Sequence, residues 1–215
     1  YKGRVQPMPQ DCFLSSVNKT TMNTSPNITT DAQKKTSVFG LVFGMMAAPG
    51  QLLQKSLSNV SWAVAYGISG VAFLLFFLQT GLDMMRAGKM DTEEVVLLSG
   101  LGFLYGTLGV MIVGVFAWAG IQGFGKTHNM QEILRAFGLA YSPTLVYAVC
   151  GLVFNVVLEW NTAVAFGVTG LLWALNPISA TIRHFCEDKT TPAVVLTTIC
   201  GLLMLIGWAF LGGAL

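Results

Sequence analysis

The sequence predicts an all-α fold, a polytopic bundle of five transmembrane helices, and three observations carry that prediction. The first is a set of five separated apolar stretches, Val60 to Leu82, Val95 to Ile121, Phe137 to Leu158, Thr162 to Ile182 and Ala193 to Leu215. A hydrocarbon core about 30 Å thick is crossed by about twenty helical residues, and each stretch reaches that length. The second is composition: charged residues make up 10% of the chain and hydrophobic ones 53%, whereas soluble domains carry about 25% charge. The third is the lack of alternation in runs such as Val71-Ala72-Phe73-Leu74-Leu75-Phe76-Phe77-Leu78. A membrane β-barrel needs short segments of period two, and lipid supplies no water to satisfy an open strand, so the spans read as helices.

From the N-terminus, residues 1–35 are dominated by Thr, Ser, Asn, Gln and Pro and read as a disordered polar cytoplasmic tail. No apolar core follows a basic start there, so a secretory signal is not expected within them. Tyr1 is not a start residue and Met22 is a candidate native start. Four glycosylation triplets begin at Asn18, Asn23, Asn27 and Asn59, and a cytoplasmic position leaves all of them unused.

Residues 36–58 read as a bent interfacial amphipathic helix. Phe39, Val42, Phe43 and Met46 fall at i, i+3, i+4 and i+7 and line one face. Pro49-Gly50 breaks the helix, and a second short helix with Leu52, Leu53, Lys55 and Leu57 follows in the headgroup layer. Residues 59–215 then form the five-span domain.

Within the spans the sequence offers packing residues more than chemistry. Gly102 and Gly106 have the spacing that lets two helices approach closely. Pro143 is expected to bend the third span, with Ser142 and Thr144 at hand for freed backbone groups. Gln79, Asn155 and Asn176 are the largest polar side chains at depth, and interhelical hydrogen bonds are expected to hold all three. Charge is absent from the middle of every predicted span.

Charge sets the expected orientation. Of the twelve Lys and Arg, only Arg86 and Lys89 fall on the side of the first and third loops. The positive-inside rule then places the N-terminus in the cytoplasm and the C-terminus outside. The net charge of +2 is spread along the loops, which excludes a nucleic-acid patch.

Catalytic and cofactor motifs are weak. Gly120-Ile121-Gln122-Gly123-Phe124-Gly125-Lys126-Thr127 fits the phosphate-loop pattern. That loop, however, needs a strand before it and a helix after it, and here a membrane helix precedes it, so a nucleotide is not expected. His128 and His184 share one predicted face without a third ligand at helical spacing, so no metal is expected. Glu93-Glu94 matches the start of the E-E-x-x-x-R motif of membrane CAAX-type proteases, but position 98 is Leu98. Cys12, Cys150, Cys186 and Cys200 form no CxxC pair, and no structural disulfide is expected. No catalytic residue and no cofactor is assigned.

The Ala48-Pro49-Gly50 element, a second span ending in Gly123-Phe124-Gly125, the short polar helix Met130 to Leu134 and the Ala140-Tyr141-Ser142-Pro143 opening of the third span resemble the Yip family of membrane proteins. The resemblance covers about Phe39 to Leu215. It implies five spans and a cytoplasmic N-terminus, and in eukaryotic members a role in vesicle formation and Rab recruitment. Those members carry a longer cytoplasmic domain with a D-L-Y-G-P type motif. This tail has none, which aligns the chain with the compact prokaryotic branch.

The expected function is therefore non-enzymatic: a Yip-like protein organising membrane or partner proteins, with Pro49, Tyr141, Ser142 and Pro143 important for shape. The alternatives are a small transporter or channel built around the bent third span and Asn155, and an accessory subunit of a larger membrane complex. Expected partners are the lipid bilayer and either proteins at the cytoplasmic face or further copies of the chain. The expected membrane is the bacterial cytoplasmic membrane, with Golgi, ER or an organellar inner membrane as alternatives.

Overall fold

The computed structural model of the protein describes residues 37–124 and 128–213. The expectations for the 1–35 tail, Met22 and Cys12, and for Gly125, Lys126 and Thr127 of the phosphate-loop pattern, lie outside the described residues. Among these the chain is helical with no strand, and five helices are long and apolar enough to cross a membrane: Trp62–Arg86, Thr92–Gly123, Met130–Leu158, Ala163–Phe185 and Thr190–Leu211.

Helix α1 (Val38–Ala47) begins at Ser37, whose hydroxyl accepts from the Gly40 amide at 3.1 Å. Helix α2 (Pro49–Ser56) starts on Pro49, which sits where its missing N–H costs nothing. The two pack differently from the periodicity. Leu41, Val42 and Met45 face the bundle, whereas Phe39 and Phe43 are 77% and 57% exposed. The predicted apolar face is split because α1 is apolar on all sides, and contact with the third span, not the stripe, selects which side turns inward.

The first span is α3 (Trp62–Arg86), capped by the Ser61 hydroxyl on the Val64 amide at 3.2 Å. It continues one turn beyond the expected end at Leu82, which makes Asp83 and Arg86 helical residues. The second span consists of α4 (Thr92–Leu104), a π-helical segment Tyr105–Gly109 and α5 (Val110–Gly123). Its start is a capping box: Asp91 accepts from the Glu94 amide and Glu94 from the Asp91 amide, both at 3.0 Å. Glu94, half of the protease-like pair, is therefore a helix cap, and Leu98 is buried in the core.

A Cβ at Gly102 would lie 2.7 Å from the Phe73 carbonyl oxygen, and one at Gly106 would lie 2.5 Å from that of Ser69. The Gly102-x-x-x-Gly106 spacing thus brings α4 and the π segment onto the backbone of α3.

The third span is α6 (Met130–Ala140) and α7 (Ser142–Leu158), joined at Tyr141. Pro143 lacks the N–H that would bond the Leu139 carbonyl, four residues earlier. The Ser142 hydroxyl donates to that carbonyl at 2.6 Å. Thr144 acts elsewhere: its hydroxyl donates to the Gly170 carbonyl of the neighbouring span at 3.1 Å. The fourth span is a π-helical segment Ala163–Val168 followed by α8 (Thr169–Phe185), and the fifth is α9 (Thr190–Gly213). The core is aromatic: Phe73 meets Tyr105 and Tyr141 at 5.2 and 5.4 Å, and Phe76 stacks on Trp208 at 5.4 Å. Outward-facing Val96, Leu108, Ile112, Val157 and Phe210 remain exposed, as lipid contact requires.

Candidate functional site

Polar side chains converge at one end of the bundle. Gln79, Asp83 and Arg86 stand at i, i+4 and i+7 on α3, so one helical face presents an amide, a carboxylate and a guanidinium together. Across from them lie Asn155, in the last turn of α7, and Thr162, which precedes the fourth span. The Asn155 side chain is fully buried. Its amide nitrogen donates to Asp83 Oδ1 at 2.7 Å and to Thr162 Oγ1 at 3.0 Å, and its amide oxygen accepts from Arg86. Thr162 donates to Gln79 Oε1 at 3.2 Å, and Gln79 donates to the Ala148 carbonyl at 2.8 Å. Five side chains thus form one continuous hydrogen-bonded chain across three spans.

The charges also complete two helix ends. Arg86 donates to the Asn155 and Trp160 carbonyls at 2.8 and 3.1 Å, supplying the C-terminus of α7 with donors. Asp83 Oδ2 accepts from the Ala163 amide at 3.0 Å, supplying the N-terminus of the fourth span with an acceptor. Asp83 and Arg86 are 3.5 Å apart, with side chains 17% and 29% exposed. An ion pair on one span therefore clasps the hairpin of two others, and Glu159, in a left-handed conformation at φ 55°, turns the chain between them. A cavity of about 530 Å³ opens beside Asp83, with Lys89, Asn161 and Trp208 in its wall.

Among the expected residues, Asn155 is brought into this clasp and Gln79 joins it, whereas Pro49, Gly102, Gly106, Tyr141, Ser142 and Pro143 lie apart from it and shape helices. Asn176 departs from expectation: it is exposed and makes no interhelical hydrogen bond among the described residues. Asp83 and Arg86 escaped sequence reading because the apolar run ends at Leu82, which assigned them to a loop. The Gln79, Asp83, Arg86 periodicity was the available signal.

At the opposite end, Arg135 sits 5.6 Å over the Trp62 ring and Tyr66 donates to the Leu134 carbonyl at 3.2 Å. His128 and His184 both meet the edge or face of Phe185, at 5.3 and 5.1 Å. No group of three metal-ligating side chains occurs among the described residues. Gly120 and Gly123 are inside α5, so the amides that a phosphate loop would leave free belong to a helix. Cys150, Cys186 and Cys200 are free thiols.

The arrangement of an initial broken helix, five spans and a third span interrupted at Tyr141-Ser142-Pro143 now meets a sequence match: the model of the Yip1 domain fits residues 29–211. The chain belongs to the Yip1 family. It is accordingly a multi-pass, helical integral membrane protein. Comparison with curated proteins and with solved structures finds no match. The Yip1 match spans all five membrane helices and both short helices before them, so the clasp lies wholly within the family domain.

Proposed function

We propose that this Yip1-family protein is a non-catalytic organiser of membrane or partner proteins, with its N-terminus and its more basic end in the cytoplasm. The observation that carries this reading is the α1–α2 element. It holds the bundle with Leu41, Val42, Met45 and Leu53 while turning Phe39 and Phe43, and beyond them Gln51, Gln54 and Lys55, outward. Such a surface suits the headgroup layer and a protein docked there. The polar clasp supports the same reading, because its amides and charges are engaged in helix caps and cross-links and not directed at a reacting atom.

The test uses the full chain in its native membrane. Phe39→Ser together with Phe43→Ser is expected to leave the protein membrane-inserted and remove its co-purifying proteins. Reconstitution in liposomes with a panel of ions and small metabolites provides the contrary outcome: reproducible flux that Asn155→Leu abolishes would establish transport in place of organisation.

A further inference from the structure

The α8–α9 face carries hydrogen-bonding groups at membrane depth that have no partners among the described residues. Asn176 lies near the middle of the fourth span, is exposed, and forms no side-chain hydrogen bond among the described residues. It opens onto a groove of about 470 Å³ between α8 and α9, whose walls include Ser179, Thr197 and Leu202. Thr197 is 8% exposed and its hydroxyl has no partner among the described residues. Pro177, inside α8, removes the N–H that would bond the Trp173 carbonyl and so adds an acceptor to the same turn. Unpaired polar groups in hydrocarbon are strongly unfavourable, because no water is present to replace the missing partner.

Mid-depth narrows the occupant. Acyl tails offer neither donor nor acceptor there, and phospholipid headgroups stay at the surface, so a transmembrane helix with a polar residue at the same depth is the complement. Asn presents a donor and an acceptor on one group, and two copies related by a twofold axis can satisfy each other amide to amide. We infer that the α8–α9 groove seats a second copy of this chain, with Asn176 at the centre of a symmetric interface. The inference goes beyond the proposed contact surface of α1 and α2 and stands or falls separately from it.

Energy transfer between donor- and acceptor-labelled full-length chains, diluted in liposomes of fixed protein-to-lipid ratio, tests it. Wild type should associate, and Asn176→Leu should raise the dissociation constant about tenfold, equivalent to about 1.4 kcal/mol. Asn176→Gln should retain most of the association, and Leu108→Ala, on the exposed α4–α5 face, should change nothing. Because Asn176 has no partner to lose among the described residues, unfolding of the monomer should be the same in wild type and Asn176→Leu. Absence of transfer in wild type, an unchanged constant in Asn176→Leu, or an equal loss in Leu108→Ala would overturn the proposal. So would a photocrosslinker at Leu202 that captures a different chain in native membranes and no second copy.

Discussion

Replacing Asn155 by Leu isolates the clasp. The substitution nearly preserves volume but removes the donor to Asp83, the acceptor for Arg86 and the donor to Thr162. Hydrogen bonds to charged groups contribute about 1.5 to 3 kcal/mol each and interhelical ones in membranes about 0.6. Taking the lower figure for the two charged partners, whose side chains are 17% and 29% exposed, gives a loss of about 3 to 4 kcal/mol. The assay is reversible unfolding in mixed micelles, followed by tryptophan fluorescence, as a double-mutant cycle with Asp83→Asn. Asp83 and Asn155 share one bond and one network, so the double variant should recover at least about 1 kcal/mol relative to the sum of the singles. Additivity within about 0.5 kcal/mol would refute the claim that these residues act as a unit.

Three further outcomes follow from the packing. Gly106→Ala places a methyl 2.5 Å from the Ser69 carbonyl oxygen and should destabilise by about 1 to 3 kcal/mol; Gly100→Ala, with nothing within 4 Å, should be neutral or stabilising in the same titration. Ser142→Ala should be destabilising by about 1 kcal/mol in the native chain, since it removes the hydroxyl donor and leaves the Leu139 carbonyl only the Tyr141 amide; in a Pro143→Ala background, where a further backbone N–H is restored, the loss should shrink in a calorimetric comparison. Burial pushes the Cys186 thiol upward, with Lys189 partly opposing it, and a raised pKa means less thiolate at neutral pH; maleimide labelling of Cys186 should therefore be slow at pH 7 and still accelerating above pH 9.

The spans were legible because lipid imposes a length and an apolar composition that few soluble helices share. Pro143 was legible for a local reason: a proline frees one defined carbonyl, and Ser142 is adjacent to it. Gly102 and Gly106 were legible because their spacing matches one helical turn, while the partner, the Phe73 and Ser69 backbone, was not. The clasp was hidden because Asp83 and Arg86 lie just past the apolar boundary, and a window of hydropathy cannot distinguish a helix's last charged turn from a loop. Asn176 was misjudged for a related reason. A polar side chain at depth implies a hydrogen bond, but sequence does not say whether its partner belongs to the same chain. The inward side of α1 depended on contact with α6 and α7, which an all-round apolar helix does not encode.

Residues Lys89 and Asn161 lie at the end that carries the clasp, and Lys189 lies at the other. Single cysteines at these positions, in a background lacking the native Cys12, Cys150, Cys186 and Cys200, can be labelled in intact cells with a membrane-impermeant maleimide. The account of a five-span bundle with its more basic end in the cytoplasm predicts reaction at Lys89→Cys and Asn161→Cys and none at Lys189→Cys until the membrane is opened. Equal reaction at all three, or the reverse pattern, would contradict it.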